Sequence, residues 1–471
     1  MVPCALLGCA GDKEEPPGTG PDTPEIAAQD TASGDGAPSD SVGPWEVPSS
    51  DGAAIDLADA APDPCEGLGP ECLPVVERGN INVVYLHGTP REMGFQHGSL
   101  LKAELAEGVA EIEGNLVLAA MKQMALDLGL LTLAQELSTE EIVEECQGMV
   151  EAAGDVGWTV EDCMVLNFGD AIAEFIQDGA PGKDDIVPGC SQVVASGKAT
   201  ADGRLYHLRI LDWAQIDFIL DNPVVFVRSP TGGIPHVFIG FPGNLSPYQG
   251  MNAMGLVSAS NEVHARDSSV HDAVGISHVQ LQGRVLATAH DVGEAAAAIA
   301  QANHMTLETI VVSDQDSGEV LEMSPPAVAT RKQAEGIVFA TNHFVADSTS
   351  GLDKEPTPQH STLRFDRLFQ LLDPAAPNTL YGKLTPELLV QVARDRIDPY
   401  TGQESPADVF DNAQSLATNG ALFVVVFDPA DLRFWVAAGK IPVPSQPLVG
   451  FSLGHLLNLP GYEGTTPPDI P

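Results

Sequence analysis

Basic residues are scarce in this chain of 471 residues: 22 Lys and Arg stand against 66 Asp and Glu, a formal charge of −44. A surface of that sign repels phosphate backbones, so no nucleic acid partner is expected. Long apolar runs are missing too, and no stretch beyond the first residues is continuous enough to span a bilayer. Aromatic residues make up only 6% of the chain, and Gly11 to Pro64 has hardly any. That stretch is instead rich in Asp, Glu, Gly, Pro, Ser and Thr and cannot repay its ordering entropy by burial. Residues 11–64 therefore read as a disordered acidic tether. No internal repeat of fixed period is found. What remains, in a chain with 44% hydrophobic and 19% charged residues, is enough to bury one large core or two modest ones.

Cysteines number seven. Leu6-Leu7-Gly8-Cys9 resembles a bacterial lipobox, so residues 1–10 read as a truncated lipoprotein-type signal. Cys9 is then the candidate for lipidation, and the protein is expected to be exported, periplasmic or on the cell surface with a lipid anchor. With Cys4 lost with the signal and Cys190 set aside for chemistry, Cys65, Cys72, Cys146 and Cys163 remain, an even number. Cys65 and Cys72 bracket a turn-rich loop and are the first disulfide candidates, ahead of Cys146 with Cys163; the alternative is four buried thiols.

From Asn80 onward the texture is that of a folded domain. Val83 to Leu86 is strand-like, and Arg91 to about Leu128 carries apolar residues at helical spacing. Ser138-x-x-Glu141 and Thr159-x-x-Asp162 resemble capping boxes that start two further helices. Asp178 to Pro188 is Gly- and Asp-rich with two prolines, as an exposed loop would be. Beyond it come strand pairs: Ser191 to Ser196 with Arg204 to Ile210 around Asp202-Gly203, Val224 to Val227 with His236 to Ile239, Thr309 to Ser313 with Glu319 to Met323, and Leu422 to Phe427 with Arg433 to Ala437. Helical patterns intervene at Ser277 to Ala289, Val292 to Gln301, Leu363 to Leu372 and Pro386 to Arg394. An α+β fold of antiparallel sheets covered by helices follows.

Residues able to carry chemistry come in order: Gly189-Cys190-Ser191, then Arg209 and Asp212 at the end of a strand, Asn261 in Ser260-Asn261, Asn342 in Thr341-Asn342-His343, and Arg364 in Ser361-Thr362-Leu363-Arg364-Phe365. His87 and His97 lack metal-ligand spacing, and no H-E-x-x-H motif occurs, so neither metal nor cofactor is expected. His97 with Gly98 is expected to pack the first helix.

This order, with Gly88-Thr89-Pro90-Arg91-Glu92-Met93-Gly94-Phe95-Gln96-His97-Gly98 before it and Val426-Phe427-Asp428-Pro429 near the end, resembles the Cys-type N-terminal-nucleophile hydrolases. The likeness is to the C45 peptidases typified by isopenicillin N acyltransferase, with choloylglycine hydrolases as more distant kin. Ile210 departs from that pattern, which often shows Asn there. The resemblance implies a four-layer αββα sandwich and self-cleavage between Gly189 and Cys190. The products would be a helical α fragment (65–189) and a β fragment (190–471) that stay associated. It implies Cys190, Asp212, Arg209 and Asn261 as catalytic residues, with Asn261 as oxyanion donor and Asn342 and Arg364 near substrate or oxyanion. The implied function is hydrolysis or transfer of the acyl group of a small acyl-amide substrate through a thioester on Cys190. The alternatives are a lipid or ester hydrolase of the same fold, like the phospholipase-B-like proteins, and a non-catalytic surface-anchored binding lipoprotein.

Overall fold

Alternation of apolar side chains along extended segments gives each strand two buried faces, and the chain uses them to stack two sheets. The computed structural model describes residues 75–127, 129–168, 189–213, 216–272, 274–354, 356–405, 415–418 and 420–471. The Cys9 lipobox, the acidic tether, the Cys65 and Cys72 pair and the loop before Pro188 lie outside the described residues.

The first sheet has nine strands: β1 (Val75–Arg78), β2 (Ile81–Gly88), β5 (Val224–Pro230), β6 (His236–Gly240), β7 (Gln249–Asn252), β8 (Val257–Glu262), β9 (Glu308–Ser313), β10 (Gly318–Ser324) and β11 (Ala327–Lys332), in that spatial order. The second has six: β12 (Ile337–Ala340), β3 (Ser191–Ala195), β4 (Tyr206–Asp212), β13 (Ala421–Asp428), β14 (Arg433–Ala438) and β15 (Val449–Ser452). β2 and β5 run parallel, and the other neighbouring strands are antiparallel.

Period-2 burial sorts the faces. On β5, Val225 and Val227 join the core shared with the second sheet. Val224 and Phe226 pack with Met93 of helix α1 (Pro90–Leu100) on the outer face. Val194 of β3 meets Val311 and Val320 of the first sheet. Outside β8 to β10 lie α8 (His278–Thr288) and α9 (Val292–Gln301), whose Leu281, Val285 and Ile299 cover Ile310, Val312 and Leu321. Outside the second sheet lie α10 (Gln359–Leu372) and α11 (Pro386–Ala393). The layers run helix, sheet, sheet, helix, as the resemblance implied. Each fully buried Leu, Ile or Phe contributes roughly 1.5–3 kcal/mol.

The helical stretch anticipated from Arg91 to Leu128 is three helices: α1, α2 (Lys102–Gly114) and α3 (Leu116–Asp127). Leu101 and Asn115 leave helical geometry between them, at ψ 27 and 109. Next come α4 (Leu130–Leu137), α5 (Glu140–Ala153) and α6 (Val160–Asn167), and a single turn, α7 (Asp217–Asp221), leads into β5. Thr159 and Asp162 form the reciprocal capping box expected at α6. At α5 the cap is one residue later than expected: Thr139 accepts from the Ile142 N–H, while Ser138 ends α4 by donating to the Ala134 carbonyl at 2.7 Å. β3 and β4 do pair, but through a ten-residue connection with a 3-10 turn at Gly197–Ala199, so Asp202-Gly203 is one bend of a longer loop.

Cys146 of α5 and Cys163 of α6 form a disulfide, the second-ranked pairing from the sequence. α5 is also fixed to the first sheet by Arg228 of β5, which grips the buried Glu145 carboxylate at 2.7 and 2.8 Å. His97 packs against Phe226 with ring centroids 4.8 Å apart, and its Nε2 accepts from the Gly243 N–H. α1 and α5 touch backbone to backbone through glycine: a Cβ on Gly94 would lie 2.0 Å from the Glu145 carbonyl oxygen, and one on Gly148 would lie 2.2 Å from that of Arg91.

Gly94→Ala and Gly148→Ala are therefore expected to force the two helices apart and cost about 1–3 kcal/mol or more, read as a lowered Tm or failure to fold. Gly114→Ala, with nothing within 4 Å of the new methyl group, should leave Tm unchanged or raise it slightly.

Candidate active site

The connection of β3 to β4 sets the site. Cys190 precedes β3, Gln192 pairs with Arg209, and Asp212 ends β4, so the thiol lies beside the far end of the neighbouring strand. Arg209 Nη2 donates to Cys190 Sγ at 3.1 Å, and the Asp212 carbonyl oxygen lies 3.7 Å from the same sulfur. From α10, Arg364 donates to the Cys190 carbonyl oxygen, to Ser191 Oγ at 2.8 Å and to Asn342 Oδ1 at 2.9 Å. Gly189 is pressed against this group, since a Cβ there would lie 2.0 Å from Asn342 Oδ1 and 2.8 Å from Arg364 Nη2. No other residue fits at that position without moving both.

Burial dominates the electrostatics. It pushes the Cys190 thiol above its ordinary range, with the Asp212 charge adding to the rise and Arg209 opposing it. Asp212 is pushed up to about 7 by burial, against the pull of Arg364, Arg209 and the Thr418 hydroxyl. Neither Asp212 carboxylate oxygen receives a well-formed hydrogen bond, although both are fully shielded from solvent. Burial also lowers the Arg364 guanidinium, which Asp212 and Cys190 partly offset.

A cavity opens over the thiol. Leu211, Trp213 and Tyr248 supply its apolar lining, with the two aromatic rings edge to face at 5.2 Å. Glu262, His264 and His360 supply the polar lining. Cys190, Arg209, Asp212 and Asn342 line it too, so the structure brings these four expected residues together with Gly189. Arg364 reaches Cys190 from behind.

Asn261 is placed differently from the expectation. It is fully buried on β8, its amide donating to the Thr341 carbonyl at 3.0 Å and accepting from Gln192 at 2.9 Å, while the flanking Ser260 and Glu262 line the cavity. Strand alternation explains the difference: Asn261 faces the space between the sheets, where it braces β3 against β8 and holds the segment carrying Asn342. Its amide is spent on protein partners and is not aimed at a substrate oxygen. Asn342 is similarly engaged, donating to the Glu262 carbonyl at 2.8 Å. Tyr248, Glu262, His264 and His360 were not among the expected site residues. Their signal was weak, because Glu262 and His264 follow Asn261 at the alternating spacing of a strand but belong to no motif.

Comparison with known proteins gives a partial match. The family described as "Acyl-coenzyme A:6-aminopenicillanic acid acyl-transferase" matches residues 218–441. That part of the chain is similar to this acyltransferase family. The match begins after Cys190, Arg209 and Asp212 and includes Asn261, Asn342 and Arg364. An uncharacterized protein of Archaeoglobus fulgidus is 26% identical over 274 residues, 53% of this chain and 44% of its own length, so the chain spans less than half of that relative. A solved N-acylethanolamine-hydrolyzing acid amidase ortholog from Caenorhabditis elegans overlays with a TM-score of 0.36 at 14% identity, over 54% of this chain and 95% of its own. A mutant of the conjugated bile acid hydrolase from Clostridium perfringens overlays at 0.36 and 13%, over 56% and 93%. At these scores the overlays give no residue correspondence.

The raised proton affinity of Asp212 has a consequence for stability. A carboxyl raised from 3.8 to about 7 favours the folded state below its unfolded pKa, and that contribution is lost as pH rises through about 7. In a Cys190→Ala background, Asp212→Asn should therefore stabilise the fold at pH 8 by on the order of a kcal/mol or more, read as a higher Tm. The gain should vanish near pH 4. An equal gain at both pH values would show that burial of the charge is not the cause.

Proposed function

We propose that this chain is a precursor that cleaves itself between Gly189 and Cys190 and then hydrolyses, or transfers the acyl group of, small acyl amides through a thioester on Cys190. The observation that carries this reading is the buried Asp212 carboxylate beside Cys190, shielded from water and without a well-formed hydrogen bond. A group in that condition is costly unless a partner arrives. Cleavage before Cys190 creates such a partner, an α-ammonium on the residue whose sulfur already lies beside Asp212.

The chemistry balances with the residues present. The Cys190 sulfur attacks the Gly189 carbonyl carbon, the Gly189–Cys190 C–N bond breaks, and the freed α-nitrogen takes up the thiol proton. Water then hydrolyses the Gly189 thioester, releasing the new carboxylate and restoring the thiol. In turnover the α-amine, titrating near ~7.7–8.0, takes the thiol proton as sulfur attacks a substrate amide, and returns it to the leaving amine. Arg209 stabilises the developing thiolate from 3.1 Å. Arg364, held on the Cys190 carbonyl and on Asn342, fixes the backbone on which both new groups stand.

Association of the two fragments follows from the sheet. β2 of the first fragment lies hydrogen-bonded to β5 of the second, and Arg228 to Glu145 crosses the same boundary. Separation would split a nine-stranded sheet and strand a buried charge. The Cys146–Cys163 disulfide supports an oxidising compartment, consistent with export and an anchor at Cys9.

A panel of fluorogenic acyl amides tests the activity. Hydrolysis with acyl transfer to Cys190, seen as an acyl-sized mass increase on quenching, is the expected result. Cys190→Ala should abolish it, and Arg209→Ala should lower kcat/KM about ten- to a hundredfold by removing a charge-assisted hydrogen bond to sulfur. Turnover undiminished in Cys190→Ala would reject the proposal.

A further inference from the structure

The polar lining of the cavity carries more negative charge than cleavage needs. Glu262 and Glu308 are cross-strand partners on β8 and β9, so their side chains share one face. Glu308 is completely buried, and neither of its carboxylate oxygens accepts a well-formed hydrogen bond. His278, at the start of α8, places Nδ1 2.9 Å from Glu308 Oε1. Glu262 lies in front of this pair and lines the cavity, its side chain 22% exposed and its Oε1 3.5 Å from His264 Nδ1. Among the described residues no Lys or Arg forms an ion pair with either carboxylate. The Arg209 charge is felt at Glu308 without a contact.

Burial raises both carboxyls, Glu308 well above the ordinary carboxylate range, so Glu262 ionises the more readily of the two and does so at the wall of a cavity also lined by Arg209, Asp212, Asn342 and His360. Trp213 and Tyr248 present rings there, and aromatic faces also favour cations. We infer that Glu262, backed by Glu308, forms a subsite for a positively charged group of the substrate, so that the enzyme selects acyl amides bearing an ammonium or amidinium on either the acyl or the amine portion. This rests on the reading of the cavity as the place where the amide is cleaved. The arrangement supplies a linked proton. Burial and the Glu308 charge push Glu262 up to about 7, with His278 opposing, and His264 faces it from its own strand's continuation. A cation docking beside Glu262 holds it ionised, so binding near pH 7 releases a proton from Glu262.

The test separates this subsite from the nucleophile chemistry. Purified full-chain protein is titrated calorimetrically with 2-phenylethylammonium and with neutral 2-phenylethanol, in the native form and as Cys190→Ala. The ammonium should bind about tenfold or more tightly in both forms. The preference should disappear in Glu262→Gln and persist in Glu463→Gln, which removes one remote surface charge. Should Glu262→Gln fail to fold, the unmutated protein still decides the matter: heats measured at pH 7 in buffers of different ionisation enthalpy should show proton release for the ammonium and none for the alcohol. Amides with the ammonium on the acyl side, or on the amine side, then locate the group by which series exceeds its neutral isostere in kcat/KM. Equal binding of the two probes, a preference that survives Glu262→Gln, absence of proton release, or no gain in either series would overturn the inference. Loss of turnover with the binding preference intact would count against Cys190 chemistry and leave the subsite standing.

Discussion

Arg364 reaches from a helix on the outside of the second sheet to the backbone of Cys190, and much of the site depends on that reach. Its guanidinium joins the Cys190 carbonyl and the neighbouring Ser191 hydroxyl to the Asn342 amide, which lies far along the chain. A planar fork of donors can do this where a lysine cannot. The cost is a fully buried cation, and burial lowers its proton affinity. Asp212 and Cys190 partly offset that cost, so Arg364, Arg209, Asp212 and the thiol form one electrostatic unit. Gly189 is small because this unit leaves no room beside Asn342.

The two sheets support that unit from below through a buried polar chain. Ser313 meets His207 Nδ1, His207 Nε2 meets Gln192, Gln192 donates to Asn261, and Asn261 donates to the Thr341 carbonyl. Burial holds His207 neutral, with its pKa lowered to about 3, so the chain keeps fixed donors and acceptors across the pH range in which the site would operate. Position is transmitted from sheet to sheet by hydrogen bonds between neutral groups, while the charges are concentrated around Cys190.

Much of this was legible in the sequence where a local rule decides the outcome. The four anticipated strand pairs form, because alternating apolar residues can bury two faces only in stacked sheets. The helix from Val292 to Gln301 has the expected bounds. Thr159 and Asp162 cap as their spacing requires. Cys190, Arg209 and Asp212 meet because paired strands bring residues 22 apart in sequence to one edge. The misses share a cause: tertiary contacts chose between locally equivalent options. Whether Asn261 or its neighbours faces the cavity depends on the register of β8, which one sequence does not reveal. Glu262 and Glu308 become a pair only through that same register. The close approach of Gly94 and Gly148 needs the crossing of α1 and α5, and it gives a physical reason for glycine in the Gly88 to Gly98 motif.

The central claim is that Cys190 becomes an N-terminal residue whose amine and thiol work together. Intact-mass measurement of the purified protein under denaturing, reducing conditions tests it most directly. The account predicts two chains, one of them beginning at Cys190 with a free amine, and a single uncut chain for Cys190→Ala. A native protein that remains one chain while hydrolysing amides, or a cut that persists in Cys190→Ala, would contradict it.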